Sequence, residues 1–122
     1  MEITQTLLEC IRENVRDTLS LLSDAEAQRQ YDWDTPHDDV PRELISVWSD
    51  ATYIPHNLAF ERAFTAAELA DLAMFDNTIR AAVEQIGEPP HALKALQAHE
   101  AWQTVMRSAG TTCKRLRKTV PE

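Results

Sequence analysis

Glycine and cysteine are scarce in this sequence: its 122 residues include two of each. Two isolated glycines cannot form the glycine-rich loop that cradles a phosphate group, so nucleotide-binding motifs of that type are excluded. Cys10 and Cys113 share no metal-ligand spacing with each other or with histidine. A zinc site and a disulfide framework are therefore disfavoured, and a chain of this length can bury one core without either. We predict free thiols and no cofactor.

Long apolar runs are also missing. No segment approaches the roughly 18 consecutive apolar residues that a membrane-spanning helix requires. The first five residues, Met1 to Gln5, lack the basic and then apolar order of a signal peptide. We therefore expect a cytoplasmic protein that makes no use of a membrane.

Apolar residues recur at intervals of three and four along much of the chain, which indicates amphipathic helices. One stripe runs from Ile3 to Leu22, and another runs from Leu69 to Ile86. Strand-like alternation and internal repeats are not evident. With 43% hydrophobic residues, the composition favours an ordered fold. The sequence predicts an all-α, single-domain helical bundle of about four to six helices.

Capping residues and prolines predict where several helices begin. Thr65 and Glu68 have the spacing of a capping box, in which each side chain satisfies a backbone amide of the other residue. Ser23 and Glu26 have the same spacing, so a short second helix is expected from about residue 24, unless the first helix simply continues. Pro41 suits the first turn of a further helix.

The C-terminal part of the chain predicts a helical hairpin. A helix that starts after Thr65 is expected to stop at Gly87, and the last long helix is expected to run from Pro90 to Ala109, ahead of Gly110. These limits define a helical domain over residues 1–110. Residues 111–122 are then a basic C-terminal tail or a short helix.

Two ionisable residues interrupt the apolar stripes of this predicted hairpin. Asp76 falls between Leu72 and Ile79, and His99 falls within the stripe of the last helix. A hairpin centred near residue 88 places Asp76 and His99 opposite each other, and a buried carboxylate is costly unless it is paired. We predict a buried polar pair that fixes helix register. The alternative is an imidazole oriented by a carboxylate for acid–base chemistry. The sequence places no serine or cysteine nucleophile beside them, so we assign no catalytic residues.

Charge is divided unevenly along the chain. Residues 1–106 contain 19 acidic and 7 basic side chains, a balance of −12, whereas residues 107–122 have a balance of +4. An acidic surface repels phosphate and anionic lipid and attracts basic partners. The basic cluster from Lys114 to Lys118 is expected to be a solubilising tail or a helix end that complements the helix dipole. Nucleic-acid binding is opposed by the acidic body.

Acidic residues are densest between Asp24 and Asp50, where a calcium loop has to be considered. Asp32, Asp34 and Asp38 are close together, but Pro36 occupies the position of the next alternate ligand and no Gly-x5-Glu follows. We therefore predict no metal site. The stretch is better explained as a solvated surface or a partner-binding surface.

Tyr31 and Trp33 are interleaved with these carboxylates. The segment 31–41 contains two prolines and no periodicity, which predicts a surface loop. Large aromatic side chains within a charged surface are typical of protein-binding hot spots. Alternatively, Trp33 folds back to cover the helices. The predicted partner-binding residues are Tyr31, Asp32, Trp33, Asp34, Asp38 and Asp39.

In general character, a small, acidic helical protein without catalytic motifs resembles bacterial immunity proteins and antitoxins, which neutralise basic nucleases. The resemblance implies a basic protein partner, such as a toxin or nuclease domain, whose surface this chain masks. One alternative is a structural or regulatory protein that forms a homodimer or larger homo-oligomer through a helix face, with its basic tail on a neighbour's acidic loop. The other is an enzyme built around Asp76 and His99.

Overall fold

The computed structural model describes residues 3–116 of the chain. It consists of seven α-helices and one π-helical turn, and these residues form no strand. The predicted all-α class is confirmed, with one helix more than the predicted range. In chain order the elements are α1 (Gln5–Ser23), α2 (Ala25–Asp34), α3 (Val40–Val47), the π turn (Trp48–Thr52), α4 (Leu58–Arg62), α5 (Ala66–Ile86), α6 (Leu93–Ala98) and α7 (Glu100–Arg115).

Several helices begin where the sequence predicts. The capping box at α5 is confirmed, since the Thr65 hydroxyl accepts from the Glu68 amide and the Glu68 carboxylate accepts from the Thr65 amide. At α3, Pro41 lies in the first turn, and the Asp39 carboxylate accepts a hydrogen bond from the Arg42 amide. Both arrangements satisfy amides that a helix start leaves without an intrahelical acceptor.

The predicted capping box at Ser23 is wrong. Ser23 is the last residue of α1, and its hydroxyl donates to the Ser20 carbonyl. The N-cap of α2 is Asp24, whose carboxylate accepts from the amides of Glu26 and Ala27 at 3.0 and 3.1 Å. Aspartate and serine are comparably good N-caps, so spacing alone could not decide between these neighbours.

The π turn changes which side chains face the core after α3. Its wider turn is closed by the Tyr53 amide donating to the Trp48 carbonyl at 2.7 Å. As a result, Ala51 is exposed and Thr52 is buried, although a continued α-helix would keep Ala51 on the same side as Leu44 and Trp48. A π-helical turn adds a residue to the helical repeat, which rotates the following residues around the helix axis.

The predicted last helix is divided in two. It breaks at His99, whose extended backbone ends α6 and starts α7. Beyond the break, α7 runs through Gly110 to Arg115, so Gly110 does not stop the helix and the predicted boundary at residue 110 lies inside α7. The first part of the predicted basic tail is thus helical, while residues 117–122 lie outside the described part of the chain.

The core is built mainly where α5 and α1 pack on α7. Its fully or almost fully buried side chains include Val15, Leu19, Leu22, Leu44, Trp48, Phe60, Leu72, Phe75, Leu96, Trp102 and Val105. Within residues 3–116, no helix has both the length and the apolarity needed to cross a membrane.

A buried ion pair fastens α1 to the start of α5. The Arg12 guanidinium donates to both carboxylate oxygens of Glu68, at 2.9 and 3.1 Å, and to the Ala63 carbonyl at 2.9 Å. It also lies 5.2 Å from the centre of the Phe64 ring. The same Glu68 carboxylate completes the capping box with Thr65, so the tertiary contact and the helix start depend on one side chain.

Candidate functional site

Trp33 lies on the solvent-facing side of α2, and 81% of its surface is exposed. The inner side of this helix is fixed by Gln28, which is fully buried, donates to the carbonyls of Leu21 and Leu22 and accepts from the Trp102 indole. Five residues further along an α-helix correspond to a rotation of about 140°, so Trp33 is directed away from that contact. The alternative that Trp33 covers the helices is therefore wrong.

The predicted loop over residues 31–41 is shorter than expected, because α2 continues to Asp34. Thr35 caps the C-terminal end of the helix, and its hydroxyl donates to the Tyr31 carbonyl at 2.7 Å. Pro36 follows, and a residue that precedes proline is disfavoured in the helical conformation. Tyr31 to Asp34 thus have helical positions, and only the short connection to α3 is irregular.

Tyr31 does not share the exposure of Trp33. Its ring packs against the core, and its hydroxyl donates to the Glu43 carboxylate on α3 at 2.9 Å. This hydrogen bond, then burial, then the negative charges of Glu43 and Asp38 raise the pKa of Tyr31 above its ordinary value. Tyr31 therefore ties α2 to α3, and its hydroxyl is already occupied.

The predicted carboxylates also divide into two groups. Asp39 caps α3 and lies within ion-pair distance of Arg42 and His91, at 3.7 and 3.6 Å. Asp34 accepts from the Gln30 amide group at 3.0 Å. For Asp32 and Asp38, residues 3–116 supply no side-chain hydrogen bond or ion pair. We use the name Trp33 surface for Asp32, Trp33, Asp34, Pro36 and Asp38.

Two shallow depressions share Asp32 as a lining residue, one within the Trp33 surface and one beside it. One has a volume of about 530 Å³ and is also lined by Trp33 and Pro36. The other, of about 480 Å³, extends along α6 and is lined by Arg29 and Lys94 among others. Asp32 thus lines both depressions, and Arg29 and Lys94 add positive charge to the second.

The predicted pair of Asp76 and His99 has different partners in the structure. The buried Asp76 carboxylate accepts from the Trp48 indole at 3.1 Å and from the Arg80 guanidinium at 2.8 Å. His99 is half-buried at the start of α7, where its Nδ1 accepts from the Ala101 amide at 3.1 Å. Asp76 is buried and hydrogen-bonded as expected, but its partners are Trp48 in the π turn and Arg80 on α5 itself.

Asp76 and His99 have different partners because the observed register of the two helices differs from the predicted hairpin register. In the structure Asp71 forms an ion pair with Arg115 at 3.4 Å, and Thr78 and Ser108 line the same surface depression between α5 and α7. This register places Asp76 nearer to residue 110 of α7 than to residue 99. The cause is the break at His99, because residues 93–98 form the separate helix α6 and the helix that packs along α5 is α7 alone.

Asp76 lies at a groove between α5 and the segment formed by α3 and the π turn. The groove has a volume of about 370 Å³. Its lining residues beside Trp48 and Asp76 are Ile45, Ser46, Ser49, Ile79, Arg80 and Val83. We call it the Asp76 groove.

Tyr53 belongs to the surroundings of this groove. Its ring stacks on Trp48, with centres 5.2 Å apart and planes inclined by 11°. Burial and the charge of Asp76 raise the pKa of Tyr53, while the charge of Arg80 opposes the shift. Sequence reasoning missed the roles of Trp48 and Arg80, although Asp76 and Arg80 have the i,i+4 spacing of a helical ion pair.

Within residues 3–116, no three His, Cys, Asp or Glu side chains come together so that they could hold a metal ion. Cys10 and Cys113 are free thiols. The chain matches no protein-family model, and comparisons with curated proteins and with solved structures likewise gave no match.

Proposed function

We propose that this chain is a protein-binding module that attaches to a basic protein through the Trp33 surface. The observation that carries the proposal is the exposure of Trp33, 81% of whose surface is open to solvent. The side chain is presented by a helix whose other side is fixed to the core by Gln28. A partner can therefore bury a large aromatic side chain whose backbone is already ordered.

An interface centred on this side chain is energetically favourable. Burying a tryptophan removes about 150–250 Å² from water, and a central aromatic anchor contributes about 2 kcal/mol or more to binding. Asp32 and Asp34 are its neighbours in the chain and Asp38 follows in the same segment, so Trp33 lies in a negatively charged stretch. Carboxylates at the edge of an interface act mainly on the rate of association and on the choice of a basic partner.

The partner class follows from charge and from the chemistry that this surface offers. The body of the chain has a balance of −12 over residues 1–106, and its densest acidic stretch includes the Trp33 surface. We infer an inhibitor of the immunity-protein or antitoxin kind, which masks the basic surface of a toxin or nuclease domain. We place it in the cytoplasm, where an exposed thiol such as that of Cys10 stays reduced.

The two other readings receive less support from the geometry. An enzyme built on Asp76 and His99 lacks its basis, because the two side chains have separate hydrogen-bond partners. The hypothesis of self-association through the basic end of α7 has less support, because Arg115 already forms an ion pair with Asp71 of its own chain.

The proposal is tested by replacing the anchor and a matched residue elsewhere. The cognate partner is isolated with the parent chain as bait, identified and purified, and binding kinetics are then measured with Trp33→Ala and Met74→Ala. Met74 is a suitable control because it is another exposed large apolar side chain, at 65%, on α5. We expect Trp33→Ala to accelerate dissociation and to weaken binding by about 2 kcal/mol, roughly 30-fold, with Met74→Ala near the parent value.

Equal affinities for the parent and Trp33→Ala would contradict this proposal. Sedimentation analysis of the purified chain addresses the remaining alternative. A stable homodimer that Trp33→Ala leaves intact, together with the absence of a basic partner, would favour the oligomeric reading.

A further inference from the structure

Arg80 gives the Asp76 groove a hydrogen-bond donor that the protein itself does not fully use. Its Nε donates to the Asp76 carboxylate at 2.8 Å, and residues 3–116 offer no partner to its two Nη groups. The Arg80 side chain is 71% exposed, whereas that of Asp76 is 12% exposed. The Arg80 guanidinium is therefore accessible to a ligand at the groove, whereas the Asp76 carboxylate is largely covered.

The other side of the groove supplies acceptors. The Ser46 hydroxyl donates to the Arg42 carbonyl at 2.9 Å, and the Ser49 hydroxyl donates to the Ser46 carbonyl at 3.3 Å. Since these protons are engaged along the helix, the hydroxyl oxygens can accept hydrogen bonds from a ligand. Ile45, Ile79 and Val83 provide the apolar part of the lining.

We propose that the Asp76 groove binds a small carboxylate that carries an apolar body and one hydrogen-bond donor, as an N-acylated apolar amino acid does. The ligand carboxylate accepts from the Nη groups of Arg80, because a guanidinium fork matches a carboxylate with two parallel hydrogen bonds. The apolar side chain lies against Ile79 and its neighbours. The ligand amide donates to a serine oxygen.

The size and the charge of the site are compatible with this ligand. A volume of about 370 Å³ is at the small end of the range for ligand pockets, which suits a ligand the size of a single amino acid. The net charge of −8 repels anions at long range. At physiological ionic strength that repulsion is screened within about 8 Å, so the direct contact with Arg80 decides binding.

Trp48 provides a specific reporter for the test. Its indole N–H donates to Asp76, and Asp76 in turn holds Arg80, so a ligand on Arg80 changes the environment of that proton. The chain has three tryptophans, and the indole signals of Trp33 and Trp102 serve as internal references. Assignment uses one Trp→Phe variant for each position.

The experiment titrates the full ¹⁵N-labelled chain with N-acetyl-leucine and with its neutral counterpart N-acetyl-leucinamide. We expect N-acetyl-leucine to shift the Trp48 indole signal in a saturable way, with a Kd on the order of 1 mM, and the amide to bind at least about tenfold more weakly. Arg80→Lys keeps the charge but loses the fork, and it should weaken binding several-fold. Arg107→Lys, on the exposed side of α7, should not change binding.

Two sources share this ligand chemistry: free N-acyl amino acids and the C-terminal residue of a peptide. Titration with acetyl-Ala-Ala-Leu distinguishes them, because tighter binding of the tripeptide supports a chain terminus and weaker binding supports the small molecule. Equal binding of the acid and the amide would overturn the proposal. So would unchanged affinity in Arg80→Lys, or shifts confined to Trp33 or Trp102.

Discussion

The two aromatic side chains of α2 have opposite environments although they are only two positions apart. Successive residues of an α-helix are separated by about 100°, so Tyr31 and Trp33 point in directions about 160° apart. Tyr31 packs on the core and bonds to Glu43, whereas Trp33 is 81% exposed. An interface on this helix therefore depends on one aromatic side chain. The surrounding carboxylates make a separate contribution.

The contribution of the carboxylates can be measured separately through association kinetics. We expect Asp32→Asn with Asp38→Asn to slow association and to flatten its salt dependence while dissociation changes little, because exposed charges act during encounter. Binding to the cognate partner is followed from about 50 to 300 mM salt. The matched control is Glu13→Gln with Asp17→Asn, which removes the same charge from an exposed side of α1. If both pairs slow association equally, the effect belongs to the net charge and not to the Trp33 surface.

The titration of the two tyrosines can be measured without any partner. The pKa values of both Tyr31 and Tyr53, which are all the tyrosines in the sequence, are raised from the ordinary value of 10.0. Absorbance of tyrosinate near 295 nm should therefore rise with a midpoint above pH 10 in the folded protein. In Tyr53→Phe only Tyr31 titrates, and Glu43→Gln should lower its pKa, since the hydrogen bond to that carboxylate is the main cause of the shift.

The raised pKa values of the two tyrosines also determine how the stability of the fold changes with pH. Above pH 10 the unfolded chain releases its tyrosine protons while the folded chain retains them, so the free energy of unfolding falls as pH rises from 10 through the raised pKa values. Urea unfolding at pH 9 and pH 11 measures this loss. A titration midpoint below 10 in the folded state would contradict the described contacts of both residues.

Two residues compete in the sequence as the N-cap of α2. Ser23 and Asp24 both precede a helix with suitable spacing, but the amides of Glu26 and Ala27 donate to Asp24. We expect Asp24→Ala to lower the free energy of unfolding by about 1 kcal/mol, and Ser23→Ala to lower it by less than about 0.5 kcal/mol. Urea denaturation of the two variants decides between the caps. A larger effect at Ser23 would restore the capping box that the sequence predicted.

The long elements could be predicted because their signals are local and repeated. The stripe of α1 and the capping box of α5 need no knowledge of the rest of the molecule, and both are confirmed. The break at His99 could not be read in the same way, since the apolar stripe continues through it. There the backbone leaves the helix, and the histidine side chain caps α7 in place of an intrahelical acceptor.

The candidate site was predictable only in part for the same reason. Exposure of a polar segment follows from composition, and so the sequence could indicate the Trp33 surface. The partner of a buried carboxylate depends on which helices meet. Asp76 bonds to Trp48, 28 positions away, because the segment of α3 and the π turn packs beside α5. A hairpin of α5 and the helix that follows it does not contain that segment, so the spacing of these two helices could not indicate Trp48 as the partner.

Charged side chains have two separate roles in this protein. Exposed carboxylates give the chain its acidic surface, whereas the Arg12–Glu68 pair is enclosed, with 3% and 5% of the two side chains exposed. A count of charges along the sequence does not separate exposed from enclosed side chains, because nothing in the spacing of Arg12 and Glu68 reveals a contact between residues 56 positions apart. Surface charge bears on partners, while the enclosed pair bears on stability.

Breaking the enclosed pair should lower the free energy of unfolding. Arg12→Met leaves the Glu68 carboxylate buried without its guanidinium, and removing one partner of a buried pair costs about 3–5 kcal/mol. Arg12→Met with Glu68→Gln should recover part of that loss, because the amide removes the buried charge and its oxygen can still accept from the Thr65 amide. Urea unfolding of the four chains forms a double-mutant cycle, with Arg107→Met as the control for loss of an exposed arginine. If Arg12→Met costs no more than Arg107→Met, the ion pair does not fasten α1 to α5. If the two substitutions are additive, the carboxylate and the guanidinium act independently.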